Sequence, residues 1–204
     1  NKKNFSNSSY AVFLDEDMPS HSDYIRNNVK PPIDRNEYYY LLVKYLKKFE
    51  KESKLPVHIA LHPKTSKDKL HSLNKLLDGI KYSVGNTPEL VKNSKVVLLH
   101  GSTSISFAIL FNKPVIFLTS NKLKKSWIGS SIEDFSNSIG GKLLNMDDEI
   151  KKGYQISNLH KIDFKKYKYY EEQYLKIPKS QEKAIWEIFS EYILKNNFSK
   201  LKKL

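Results

Sequence analysis

Val96 to Leu99 and Val115 to Leu118 are apolar at every position, and the stretch between them, Ile105 to Phe111, reads as a helix. A strand with no polar face must be covered on both sides, and a helix joining two such strands lays them side by side in parallel. The same alternation runs through most of the chain. Tyr10 to Leu14 gives a first strand, Pro56 to Leu61 a second and Ile80 to Val84 a third.

The intervening segments carry helix start signals. Asp34 and Glu37 have capping-box spacing ahead of Tyr38, Leu41, Leu42, Tyr45, Leu46 and Phe49, which recur at helical intervals. Thr65 or Ser66 caps a helix running through Leu77, and Thr87, Pro88 and Glu89 supply a capping hydroxyl, an N1 proline and a first-turn acid. Gly101 to Ser104 opens the helix Ile105 to Phe111, which is apolar all round and expected to be buried. Asn112, Lys113 and Pro114 end it. The expected fold is α/β: a Rossmann-like parallel sheet with helices on both faces.

Past Ser120 the alternation weakens to a helix around Ser131 to Ile139 and a short strand at Leu143 and Leu144. Two aromatic-rich helices follow, Lys165 to Leu175 and Gln181 to Lys195. Residues 1–9, polar and without an initiator methionine, read as a linker or tail. Residues 10–160 read as the Rossmann-like domain and 161–204 as C-terminal helices. No run approaches the roughly 18 to 20 apolar residues of a membrane-spanning helix, and no cysteine is present. A cytoplasmic chain is expected. The net charge is +13, yet only Arg26 and Arg35 among the 35 basic residues are arginines. Base-specific readout favours arginine, so the charge reads as a solvated lysine surface with no nucleic-acid partner.

In a parallel α/β sheet, ligands gather beyond the carboxyl ends of the strands. Four polar clusters fall there: Asp15 to Asp17, His62 to Lys64, Gly85 to Thr87 and His100 to Ser104. Three hydroxyls beside Gly101 suit a phosphate, with Gly101 allowing close approach; Ser102 could instead simply cap the helix. His62, with Pro63 ending its strand and Lys64 beside it, is either a phosphate donor or a turn histidine satisfied by backbone. His100 is equally open to a buried structural role. His58, His71 and His160 are assigned no function.

Asp15, Glu16 and Asp17 have the chemistry to hold a magnesium ion or act as acid and base, or they form an acidic turn. No zinc or EF-hand spacing is present, so no metal and no cofactor is expected. The dinucleotide Gly-x-Gly-x-x-Gly and the P-loop are absent too. A receiver domain is excluded because no Asp follows the third strand and Lys113-Pro114 precedes rather than follows its own.

Taken together, His62-Pro63, Thr87 to Val91, Ser102 to Ser104 and Asn112 to Ile116 resemble the C-terminal, donor-binding half of bacterial GT-B glycosyltransferases of capsule and lipooligosaccharide synthesis. The likeness covers about Tyr10 to Ser120 and is greatest to sialyltransferases and Kdo transferases with a His-Pro motif. It implies that His62, Ser102, Thr103 and Ser104 contact the phosphate of a CMP-, CDP- or UDP-sugar donor; Pro63, Lys64, Thr87, Glu89 and Gly101 beside them are expected in the same site, and Asp15 and His21 are candidates facing acceptor or sugar. The acceptor, a glycan or lipid-linked sugar, would need a second domain. Retaining members carry paired glutamates seven residues apart; their absence here implies an inverting, metal-independent transfer. The basic stretch after Asn197 offers peripheral contact with the inner membrane. Two alternatives remain: a sugar-nucleotide 2-epimerase-like enzyme, which shares the two-domain fold, and a non-catalytic polyanion- or membrane-binding module.

Overall fold

The computed structural model describes residues 9–21, 24, 26–152, 161–181 and 183–201. Most of the expected N-terminal tail, His160 and the last three residues lie outside the described residues. The chain divides into two compact units, Asn1–Glu171 and Glu172–Leu204.

The first unit is built on one sheet of six parallel strands in the order β3-β2-β1-β4-β5-β6. The strands are β1 (Ala11–Leu14), β2 (Val57–Leu61), β3 (Lys81–Val84), β4 (Val96–Leu99), β5 (Val115–Thr119) and β6 (Lys142–Asn145). This is the doubly wound Rossmann order, so the α/β expectation holds. β1 is central: Leu14 lies opposite Ala60 of β2 on one side and Leu99 of β4 on the other. Every residue of β1, β4 and β5 is buried. That is why these runs needed no polar alternation, and why hairpins cannot connect them.

α1 (Arg35–Ser53) is the longest helix of this unit, and its apolar stripe of Tyr38, Leu42, Leu46 and Phe49 joins Phe13, Ile59 and Leu98 in a single core. At its start, Asp34 accepts from the amides of Asn36 and Glu37 at 2.9 and 3.2 Å. Only half of the capping box forms, because Glu37 turns away to pair with Lys122 at 2.5 Å. α2 (Lys67–Leu76) is capped by Ser66, which accepts from Lys69 N.

α3 (Thr87–Asn93) departs from expectation. Thr87 is already helical, and the cap position belongs to Asn86. The Asn86 side-chain oxygen is occupied by the Ser83 hydroxyl at 2.9 Å and makes no cap bond. α4 (Ile105–Leu110) is not buried all round. It seats Ile105, Ala108 and Ile109 in the core but leaves Leu110 48% exposed, because one face of a helix lying on a sheet always points away from it.

Two short helices, α5 (Asn121–Lys125) and α7 (Met146–Lys151), were not expected from the sequence. Ser120 and Asn145 cap them by accepting from Leu123 N and Asp147 N, both at 3.1 Å. Between them α6 (Gly129–Ile139) ends at Gly140, which adopts φ 67° in the left-handed region that favours glycine. α8 (Phe164–Tyr170) belongs to the same unit: the Tyr167 hydroxyl donates to the Lys113 carbonyl at 2.7 Å. In the second unit, α9 (Ile185–Leu201) begins at Ile185 rather than Gln181. No helix among the described residues is long and apolar enough to cross a membrane.

Candidate functional site

The strand order reverses between β1 and β4: from β1 the chain moves outward through β2 and β3, then crosses back to β4. At such a switch point the two loops leaving the sheet diverge and leave a crevice. One wall here is the loop after β1, with Asp15, Glu16 and Asp17. The other is the turn after β4, from His100 to Ser104. His62, at the end of β2, adjoins the first wall.

His100 is fully buried. Its Nδ1 lies 2.7 Å from the Leu118 carbonyl, which can only accept, so Nδ1 carries the proton. Nε2 is then an acceptor, and the Tyr38 hydroxyl 3.0 Å away donates to it. The ring also meets Phe13 edge-on at 5.5 Å. Burial pushes its pKa down to about 4, with the Leu118 bond opposing. His100 is therefore a neutral tie between α1 and β5, the structural option among the two left open by sequence.

His62 has the opposite setting. It is partly exposed, and the Lys64 amide donates to its Nδ1 at 3.2 Å. The neutral ring then carries its proton on Nε2, turned away from that turn. Burial and the nearby His21 both lower its pKa, so the neutral donor form prevails at pH 7. The His21 ring stands edge-on to it at 5.6 Å. The His62 carbonyl meanwhile accepts from Thr65 N and Oγ1 at 2.9 and 2.7 Å, fixing the turn that holds the ring. Pro63 and Lys64 are exposed beside it.

The three acids take distinct places. Asp15 is buried at 7% exposure, and its Oδ1 has no hydrogen-bond partner among the described residues. Burial, then the charge of Asp17, raise its pKa to about 6 against the lowering effect of the Asp17 and His62 amides and of Lys69. Asp17 forms an ion pair with Lys69 of α2. Glu16 reaches across the crevice: its Oε1 accepts from Gly101 N at 2.7 Å and His100 N at 3.1 Å. Burial holds its pKa up at about 7, with those amides and that of Ser102 opposing. The Tyr39 hydroxyl, also buried and without a hydrogen-bond partner among the described residues, feels the charges of Asp15 and Asp17.

In the phosphate cradle expected at Gly101 to Ser104, the Gly101 amide is thus already engaged by Glu16, as is the His100 amide just before it. A Cβ on Gly101 would make only ordinary contacts with Phe135 and Ile132 of α6, at 3.7 and 3.9 Å. The glycine is not demanded by internal sterics. Ser102 Oγ accepts from Ser104 N at 3.2 Å, which leaves its hydroxyl proton available to a ligand. Thr103 is exposed, and Ser104 is partly so. Thr87 is partly buried at the start of α3. Glu89 is exposed and acts electrostatically on Tyr10 at the amino end of β1, whose phenol burial and Glu89 raise to about 12. Among the described residues no three His, Asp or Glu side chains are grouped to hold a metal ion.

Sheet order and crevice together define a Rossmann-like α/β domain with a polar switch point. No family model and no curated protein matches the sequence. Among solved structures, the chain is similar to a UDP-GlcNAc 2-epimerase from Methanocaldococcus jannaschii, crystallised in complex with UDP-GlcNAc and UDP, at 16% identity and a TM-score of 0.44. That match covers 79% of this chain and 44% of the other, so the chain spans less than half the length of that protein.

Proposed function

We propose that this chain is the donor-binding half of a two-domain enzyme that uses sugar nucleotides, and specifically of an inverting, metal-independent glycosyltransferase of bacterial surface polysaccharide. The reading is supported by the sheet order, which brings the ends of β1, β2 and β4 to one edge, with His62 after β2 keeping only its Nδ1 engaged by the Lys64 amide and the hydroxyl-bearing Ser102, Thr103 and Ser104 after β4. These are uncharged donors at the carboxyl edge of one sheet. As the glycosidic bond to the leaving nucleotide breaks, negative charge grows on the phosphate oxygens, and preorganised donors stabilise it without reorganising. The missing paired glutamates favour inversion. Glycan or lipid-linked acceptors would be bound by the other half.

Thermal-shift titration tests this. CMP, CDP or UDP should raise the melting temperature, by mass action on the folded state, and the double substitution Ser102→Ala, Thr103→Ala should abolish the shift. Absence of a shift with any of CMP, CDP, UDP and GDP would sink the reading.

A second reading, 2-epimerisation of a sugar nucleotide, gains support from Asp15. Epimerisation by removing and returning a carbon-bound proton calls for a general base, and Asp15 supplies a buried carboxyl whose Oδ1 has no hydrogen-bond partner among the described residues. Product analysis separates the two: epimerised sugar nucleotide against free nucleotide plus glycoside.

Peripheral contact with an anionic inner-membrane surface has its own support in α9. Trp186, Phe189 and Tyr192 are 75, 52 and 67% exposed there, and Lys200, Lys202 and Lys203 follow. Pelleting with phosphatidylglycerol liposomes should fall when residues 197–204 are removed; unchanged pelleting rejects the contact.

A further inference from the structure

Glu16 bridges the two walls of the switch point. Its Oε1 accepts from the His100 and Gly101 amides, which open the turn after β4. The donors come from one wall of the switch point and the carboxylate from the other. A carboxylate oxygen and a phosphate oxygen make the same demand on a pair of N–H groups, so the two compete for one position. The surroundings sharpen the competition. Asp15, at the end of β1, adds a second carboxyl, and its charge acts on Glu16. Tyr38 of α1 and His100 after β4 are neutral, and the side chains of the turn from Gly101 to Ser104 bring hydroxyls but no cation. Lys69 is already paired with Asp17.

We propose that Glu16 is a built-in competitor for the ligand's phosphate, and that an anion reaches the His100 and Gly101 amides only when the Glu16 carboxylate leaves the crevice. The inference rests on the donor-site reading above and adds a discriminating role to it. A bare phosphate brings too few contacts to displace Glu16, whereas a nucleotide brings base and ribose contacts that offset the exchange. Glu16 thus keeps inorganic phosphate out of a site meant for nucleotide phosphates.

The test compares wild type, Glu16→Gln and Glu16→Ala by thermal shift and calorimetry, with inorganic phosphate and UDP as probes. Glu16→Gln keeps an amide-accepting oxygen without the charge; it should fold as wild type and bind UDP at least tenfold more tightly. Glu16→Ala should melt below wild type, and millimolar phosphate should restore its melting temperature while leaving wild type unmoved. Failure of phosphate to rescue Glu16→Ala, or UDP affinity unchanged or weakened in Glu16→Gln, would overturn the proposal. Weakened affinity would make Glu16 a ligand contact instead. If UDP binds none of the three proteins, the donor-site reading falls and the discriminating role of Glu16 falls with it; if UDP binds wild type but phosphate fails to rescue Glu16→Ala, the competitor role alone falls.

Discussion

His62 and His100 each follow a buried strand of the same sheet, yet one is a partly exposed donor and the other a sealed structural tie. The difference lies in what packs over each strand end. Above β4, α1 presents Tyr38, and β5 presents the Leu118 carbonyl, so both ring nitrogens of His100 are used internally. Beside β2, the chain turns at once through Pro63; the Lys64 amide donates to His62 Nδ1 and the His21 ring stands edge-on to it, and no helix closes over the ring among the described residues. A histidine after a strand is a candidate ligand group only where no helix closes over it.

The largest effect that could break this contrast is on stability. His100→Ala should lower stability by about 3 kcal/mol, the sum of a buried cavity and an orphaned Tyr38 hydroxyl and Leu118 carbonyl, seen as a fall in melting temperature of roughly 6–12 °C. His62→Ala should stay within about 1 kcal/mol of wild type but weaken nucleotide binding about tenfold. Equal melting losses for the two would erase the distinction.

A second test sharpens the account of the acidic wall. Asp15 has a folded-state pKa of about 6, raised chiefly by burial. Its contribution to stability is fully present below the unfolded pKa of about 4 and is lost as pH rises through about 6. Asp15→Asn should therefore stabilise the fold by about 1–3 kcal/mol at pH 8, and the gain should shrink towards zero near pH 4. Denaturant melts of both proteins across that range measure it. A pH-independent difference would mean that Asp15 does not titrate differently in the folded state.

Smaller again, Tyr38→Phe removes the proton that satisfies His100 Nε2 and should cost about 1–2 kcal/mol. Thr103→Ala, at an exposed position, should alter stability by less than about 0.5 kcal/mol. A large loss at Thr103 would show that the turn after β4 is held by its hydroxyls rather than by Glu16.

The strands and longer helices were legible because their causes are local. Apolar runs such as Val96 to Leu99 have only one way to be buried, and Asp34 and Ser66 cap the residues immediately after them. What escaped the sequence depends on partners far along the chain. Glu37 abandons its capping box for Lys122, His100 finds Tyr38, and Glu16 finds the amides of His100 and Gly101. No spacing rule links Glu16 to Gly101, although both stood in clusters flagged at the carboxyl edge. α5 and α7 escaped for another reason: they are too short to display a helical period, and their only advance notice was a capping Ser120 or Asn145.

The central claim is that nucleotide phosphate is bound at the β1/β4 switch point, between the loop holding Glu16 and the turn after β4. The most direct measurement is a nitrogen-15 amide spectrum recorded during titration with UDP and CMP. The account predicts the largest saturable shifts at His62, Lys64, His100, Gly101 and Ser102, with the Glu16 amide following as its carboxylate is displaced. Saturable shifts confined to another region, or none at millimolar nucleotide, would contradict it.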